Sequence, residues 1–252
     1  MLVNTEGIIL KQTKTVGGRR MVLLFSKKYG KISAGTTIDE KGKSKAALAM
    51  RPFTYGNYEI FKNKEYYNIN SADVIKSYYK IGEDVDKYMS SSFVLEITER
   101  MLYEEQPNPQ LFNLLIDFFT CIEQRNKEYQ TLVLAYEIKA LKIMGTMPEL
   151  DQCASCGAKD DLIDFSVAQG GMICKECAKN NRNQDNDTLI YRVDFGIVDI
   201  LKYFVKNPLE SFGKIALEEK VSGELQTIIK SYMSYYLDIG KLKSESFFMG
   251  KY

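Results

Sequence analysis

A chain of 252 residues that is 45% hydrophobic and 27% charged has the material for a sizeable core and, by length, for two domains. It contains no histidine, which excludes Ser-His-Asp and Cys-His catalysis and every histidine-containing metal site, so an enzyme is not expected. The net charge of +1 hides an asymmetry of +9 over residues 1–80, −7 over 81–152 and −1 over 153–252, which predicts a polyanionic partner at the N-terminal end.

The opening MLVNTEGIILK holds Glu6 and no long apolar run, so no export signal is expected. No stretch approaches the ~18 uncharged apolar residues of a membrane helix. The best candidate, Leu132 to Met144, is broken by Glu137, Lys139 and Lys142. The reading is a cytoplasmic protein with reduced thiols and no membrane partner.

The first eighty residues read as strands. Gly7–Leu10 and Met21–Phe25 are short apolar runs separated by the turn-like Lys14–Arg20. Tyr29–Ala34 gives a third strand, Phe53–Phe61 a fourth and Tyr66–Ile69 a fifth, with a long basic connection from Thr36 to Met50. Five strands with one long insertion predict a small OB-type Greek-key barrel over residues 1–80, a fold whose face and loops accept single-stranded nucleic acid. Lys11, Lys14, Arg19, Arg20, Lys41, Lys43, Lys45 and Arg51 are the candidate phosphate contacts, several of them on turns or on the long connection. Tyr29, Tyr55 and Tyr58 are candidates for base stacking, although barrel aromatics more commonly serve the core.

From about residue 82 the apolar period changes to three and four, through Val85, Met89, Phe93, Ile97 and Met101. Asn108 and Pro109 have the chemistry of a helix cap and first position, and Leu111 to Ile122 form the apolar face that follows. A third helix is predicted from Glu128 to Met144, stopped by Gly145. Residues 81–146 therefore read as a helical bundle. Asp194 is the expected cap of a helix running to Phe204, and Glu218–Leu237 the last long helix, so residues 181–252 supply C-terminal helices to the same domain.

Between these helices, residues 147–180 carry Cys153, Cys156, Cys174 and Cys177. C-x2-C-x17-C-x2-C has the spacing of a four-cysteine zinc site. Four thiolates close a tetrahedron and leave no position for substrate, so one structural Zn2+ is expected. A redox pair would not need the second CxxC, and a deaminase zinc site would need an upstream acid-bearing motif and a proline before CxxC, both absent. Gly170-Gly171 predicts the hairpin that returns the second pair to the first. Cys121 falls on the apolar face of a predicted helix and reads as a small buried hydrophobe.

Several of these segments, in this order, resemble the RecO family of bacterial DNA-repair proteins. They are Glu6–Leu10, Leu23–Phe25 through Tyr29–Ala34, Lys43-Ser44-Lys45, Leu48 through Arg51–Gly56, Met147–Asp151 followed by Cys153–Gly157, Gly170-Gly171, and the closing Lys241-Leu242-Lys243-Ser244. The resemblance implies an α+β protein: an N-terminal five-stranded OB-fold barrel, then an all-α domain containing a four-cysteine zinc module. It also implies a non-enzymatic, nucleoid-associated role in recombinational repair: binding single-stranded DNA, annealing complementary strands and, with RecR, loading RecA on DNA coated by single-strand-binding protein (SSB). The long connection departs from the family's arginine-rich pattern, because Asp39 and Glu40 partly neutralise it. The rival reading is a zinc-ribbon scaffold or transcription-type factor that binds nucleic acid without annealing.

Overall fold

The computed structural model describes residues 1–14, 20–39, 41–63, 66–182, 189–193, 195–212 and 215–245. The chain forms two compact units. One is Met1–Tyr129 joined by the described residues from Leu242 on, and the other is Gln130–Lys241.

In the first unit, β1 (Leu2–Lys14), β2 (Arg20–Ser26), β3 (Gly30–Thr36), β4 (Thr54–Lys62) and β5 (Tyr67–Ser77) close into a barrel in the order β1-β2-β3-β5-β4. Neighbours run antiparallel except β3 and β5, which pair in parallel from Ala34↔Tyr67 to Thr36↔Ile69. The β3–β5 pairing that closes the barrel spans only three residues of each strand. Strict alternation sends Ile32 and Ala34 of β3 and Tyr58 and Ile60 of β4 inward, where they meet Ile9, Leu24 and Ile69. Each such side chain contributes roughly 1.5–3 kcal/mol by leaving water.

The expected strands are present, and β1 and β5 are longer than their apolar runs. β1 is irregular between Ile9 and Lys11, and the β4–β5 ladder shifts register at Tyr55/Gly56 and Glu59/Ile60. Each bulge breaks the period of two that makes a strand legible. The long connection holds a short helix that periodicity did not reveal, α1 (Lys45–Ala49). Ser44 caps it, accepting the Ala47 N–H at 3.1 Å. Ala49 and Met50 plug the barrel core, and the buried Tyr58 hydroxyl donates to the Ala49 carbonyl at 2.6 Å.

Two long helices complete this unit. α2 (Val85–Met101) starts at Asp84, whose carboxylate accepts the N–H groups of Asp86 and Lys87. α3 (Pro109–Gln124) starts as expected, with Asn108 as cap and Pro109 in the first turn. An aromatic seam ties them to the barrel: Phe112 packs edge-on against Phe25 and Tyr55, and Phe53 against Tyr88 and Phe119. Gly30 lies at φ +72, and a Cβ there would sit 2.2 Å from the Gln106 carbonyl oxygen. Only glycine allows that approach.

In the second unit, α4 (Tyr129–Ile143) is buried on all sides from Thr131 to Ile138, the pattern of a core helix. β6 (Leu162–Ser166) and β7 (Gly171–Cys174) form the expected hairpin, and β8 (Ile190–Arg192) extends it into a sheet of order β7-β6-β8. α5 (Lys175–Arg182), α6 (Phe195–Lys206) and α7 (Glu219–Leu237) follow. Asp194 lies outside the described residues. Tyr232 of α7 stacks edge-on against Phe165 of β6, and the Tyr191 hydroxyl of β8 bonds Ser231 at 2.7 Å. Cys121 on α3 is half-buried rather than fully enclosed.

Candidate metal centre and nucleic-acid interface

The first cysteine pair lies on a tight turn in which the Gly157 N–H donates to the Cys153 carbonyl at 2.8 Å and the Cys153 N–H to the Ala158 carbonyl at 2.7 Å. Gly157, at φ +77, supplies the left-handed residue this turn requires. The second pair is split between the end of β7, with Cys174, and the first turn of α5, with Cys177. Two backbone bonds stitch the segments together: the Met172 N–H reaches the Glu149 carbonyl at 2.8 Å, and the Ala154 N–H reaches the Met172 carbonyl at 2.7 Å. Gly171 permits this closeness, since a Cβ there would lie 2.2 Å from the Glu149 oxygen.

As a result the sulfurs of Cys153, Cys156, Cys174 and Cys177 all lie within 4.8 Å of one another, with Cys156 and Cys174 at 3.7 Å. A tetrahedron with metal–sulfur bonds of about 2.3 Å has sulfur–sulfur edges of about 3.8 Å, so the cluster has the dimensions of a four-thiolate metal site. The donor set points the same way. Burial pushes the Cys153 thiol up, but backbone N–H groups, foremost that of Cys174, outweigh it and bring the group to about 6. Hydrogen bonding, first to Cys156 and then to Cys174, pushes Cys177 up to about 12. Hydrogen bonding thus lowers one thiol of the cluster and raises another. Cys153, Ile173, Cys174 and Ala178 form a small apolar cluster that backs the buried side of the site, while Cys156 is exposed and Cys177 half-buried.

On the barrel, the connection after β3 gathers four of the candidate phosphate contacts. Lys41, Lys43 and Lys45 are exposed around the Ser44 cap, and Arg51 folds back so that its guanidinium donates to the Gly42 carbonyl at 3.3 Å. The Gln12 side chain bonds the Met50 carbonyl, which draws this segment against β1. Lys11 is exposed on β1, and Lys14 ends that strand. Arg20 opens β2, and its guanidinium meets the Asp39 carboxylate at 2.7 Å, so one cation and one anion of this surface are joined. Arg19 and Glu40 lie outside the described residues.

The tyrosines divide by environment. Tyr58 is wholly buried, and Tyr55 donates to Glu6 at 2.6 Å while packing on Phe112, so both serve the fold. Hydrogen bonds from Lys27 and Tyr55 hold the Glu6 carboxyl below its ordinary range. Tyr29 is half-buried.

Two family models match the chain end to end: Recombination protein O N terminal over residues 1–78, and Recombination protein O C terminal over residues 82–246. The chain belongs to the RecO family. Among its relatives, the DNA repair protein RecO of Caldanaerobacter subterraneus subsp. tengcongensis is 31% identical, over 98% of this chain and 97% of the relative. That of Thermoanaerobacter sp. strain X514 is 30% identical over 98% and 96%. That of Listeria monocytogenes serotype 4a is 28% identical over 96% and 92%. The boundary between the two RecO models, at residues 79–81, coincides with the turn of 3-10 helix (Tyr79–Glu83) between β5 and α2. Among the described residues, no helix is long and apolar enough to cross a membrane.

Periodicity overlooked α1 and the Arg20–Asp39 pair. A signal for α1 was present in Ser44-Lys45-Ala46-Ala47-Leu48-Ala49, a capping residue ahead of strong helix formers. The ion pair has no local signature, because its partners lie nineteen residues apart in sequence.

Proposed function

We propose that this chain is a recombinational repair mediator that binds single-stranded DNA on its barrel and promotes annealing of complementary strands. With RecR it assists RecA loading on SSB-coated DNA. The observation that carries the reading is a closed, OB-like barrel whose long connection exposes Lys41, Lys43 and Lys45 around one capped turn, in a chain that belongs to the RecO family. Lysines on a surface turn contact phosphates as point charges and leave base edges free. Two strands held this way lose much of their mutual repulsion and can pair, with no covalent step by the protein.

In the same reading Cys153, Cys156, Cys174 and Cys177 hold one zinc ion. The metal would supply a cross-link that fastens the turn at Cys153–Gly157 to β7 and α5, and no coordination position would be open for chemistry.

The test is strand annealing, with and without single-strand-binding protein, by the natural chain and by a Lys41→Glu/Lys43→Glu/Lys45→Glu variant. About five phosphate contacts on a single strand give a slope of log K against log salt near −3.5, and loss of three is expected to flatten it toward about −1.4. Annealing and slope that survive the triple reversal remove this turn from the mechanism. Absence of any single-strand binding by the natural chain removes the mechanism itself.

A further inference from the structure

The basic connection accounts for phosphates but offers no ring on which a base can stack, since Tyr55 and Tyr58 are taken up by the fold. A pair of exposed rings lies elsewhere on the barrel. Phe61, near the end of β4, is 37% exposed, and Tyr66, just before β5, is 53% exposed. Their centroids are 6.3 Å apart. Both rings stay in water, whereas Phe25, Phe53, Tyr58 and Tyr67 of the same barrel are buried.

Backbone pairing holds these rings in place. Lys62 exchanges hydrogen bonds with Met1, its N–H reaching the Met1 carbonyl at 2.8 Å and its carbonyl accepting the terminal ammonium at 3.0 Å. The Asn63 N–H closes the turn on the Tyr66 carbonyl at 3.0 Å. The Lys62 ammonium lies 5.1 Å from the Tyr29 ring and 5.2 Å from the Tyr67 ring, and the Lys28 ammonium 5.4 Å from the Tyr29 ring. Lys62 follows Phe61 in β4, so aromatic contacts hold its charge on the other face of the strand from the exposed rings.

Strand register then relates this turn to the basic connection. Phe61 points outward from β4, pairs with Asn68 of β5, and Asn68 pairs with Gly35 of β3. Gly35 also faces outward and is the neighbour of Thr36, the last residue before the connection leaves the barrel. Phe61 and Gly35 are thus two strands apart on the same outer surface, about 10 Å. That is a span of one or two nucleotides. Asn68, a short side chain, is the ladder residue between them.

We infer that Phe61 and Tyr66 form a base-stacking platform that receives the nucleotides of a single strand whose phosphates lie on Lys41, Lys43 and Lys45. The inference rests on the single-strand-binding reading above and names the part of that surface that contacts bases. Stacking of this kind is indifferent to sequence, because every base presents a π-face. It suits a protein that must accept any strand.

The chain has no tryptophan, so Phe61→Trp introduces a single indole at the platform, which can be excited apart from the tyrosines. Titrated with a dT oligonucleotide, this variant is expected to lose fluorescence as bases stack on the indole, and an abasic oligonucleotide of equal length and charge is expected to leave it bright. Binding is followed independently by anisotropy of a labelled strand. In parallel, Phe61→Ala and Tyr66→Ala are each expected to weaken dT binding by at least about fivefold, the low end of base–aromatic stacking, with abasic binding unchanged. Tyr66→Phe, which keeps the ring and controls for folding, is expected to bind like the natural chain. If the strand binds and the indole stays bright, or the alanine variants bind dT undiminished, the platform is refuted and the phosphate surface stands. If the natural chain binds neither oligonucleotide, it is the single-strand-binding reading that fails.

Discussion

Ser244 grips the Glu96 carboxylate twice, through its hydroxyl at 2.6 Å and its backbone N–H at 2.9 Å. The Lys243 N–H adds a third bond at 2.9 Å to the other oxygen. This is how Lys243 and Ser244 are fastened onto α2 within the first unit, about 150 residues earlier in the chain. Leu242, buried in the same turn, and the Glu245 carboxylate that accepts its N–H complete the clasp. Burial raises the Glu96 carboxyl, but the Ser244 and Lys243 donors and the nearby Arg100 outweigh it, so the net shift is downward.

A folded-state value below the unfolded one means that the clasp adds stability above the ordinary carboxylate range and loses it as pH falls through the lowered folded value. Amide protection at Lys243 and Ser244, read by hydrogen exchange, is therefore expected to be full at neutral pH and to be lost only as pH falls below the ordinary carboxylate range. Glu96→Ala should abolish it at all pH values and cost about 1–3 kcal/mol in a urea melt, the cost of leaving hydrogen-bonded donors without their charged acceptor. Unchanged protection in that variant would show that Leu242 alone anchors the segment.

If the four thiols hold zinc as proposed, its removal should unravel the sulfur cluster and spare the barrel. Structural zinc contributes roughly 10–16 kcal/mol of apparent free energy in small peptides, as much as a whole domain's stability. The purified chain is expected to carry about one zinc per molecule, and Cys174→Ser to lose it. Chelation or that substitution should expose bonds between residues 147 and 182 to limited proteolysis. Cleavage sites in the full chain report which region opens.

Ser44→Ala removes the side-chain acceptor at the start of α1. The expected loss is about 1 kcal/mol of stability. Because Lys43 and Lys45 flank the cap, single-strand affinity should fall with it, by roughly twofold to fivefold at low salt. Ser44→Asp, which also caps, should restore stability. A capping effect and a charge effect thereby separate: stability follows the cap, while affinity falls further with the added negative charge.

Asp39 is an anion on a cationic surface, bonded to Arg20 and accepting the Lys41 N–H at 3.0 Å. Asp39→Asn keeps the shape and removes one negative charge. Single-strand affinity is expected to tighten by about twofold to fourfold at 50 mM salt and by little at 500 mM, because ions screen the difference. Affinity that drops at both salt concentrations would mean that the carboxylate organises the connection more than it repels DNA.

Much of this protein is legible residue by residue. Asn108-Pro109 announces the start of α3, and Gly170-Gly171 announces the turn between β6 and β7, because caps and tight turns depend on a few adjacent side chains. β5 is read only in part: bulges opposite Tyr55 and Glu59 shift its ladder, and the exposed Asn70 and Ser71 interrupt the alternation beyond Ile69. The basic residues of the candidate interface are visible as composition, but their grouping is not. Arg51 reaches Gly42, and Arg20 reaches Asp39, only after the connection has folded onto the barrel.

By itself the sequence determined the chemistry of the parts: a histidine-free chain, a positive N-terminal region, strands before helices, and four thiols at a spacing one metal ion can span. These follow from side-chain type and short-range spacing, which need no fold to be read. Only the tertiary structure decided that Phe61 stays in water while Tyr58, three residues earlier, is sealed in the core, and that Glu96 holds the far end of the chain. Such outcomes depend on strand register and barrel closure, where a one-residue slip exchanges inside for outside.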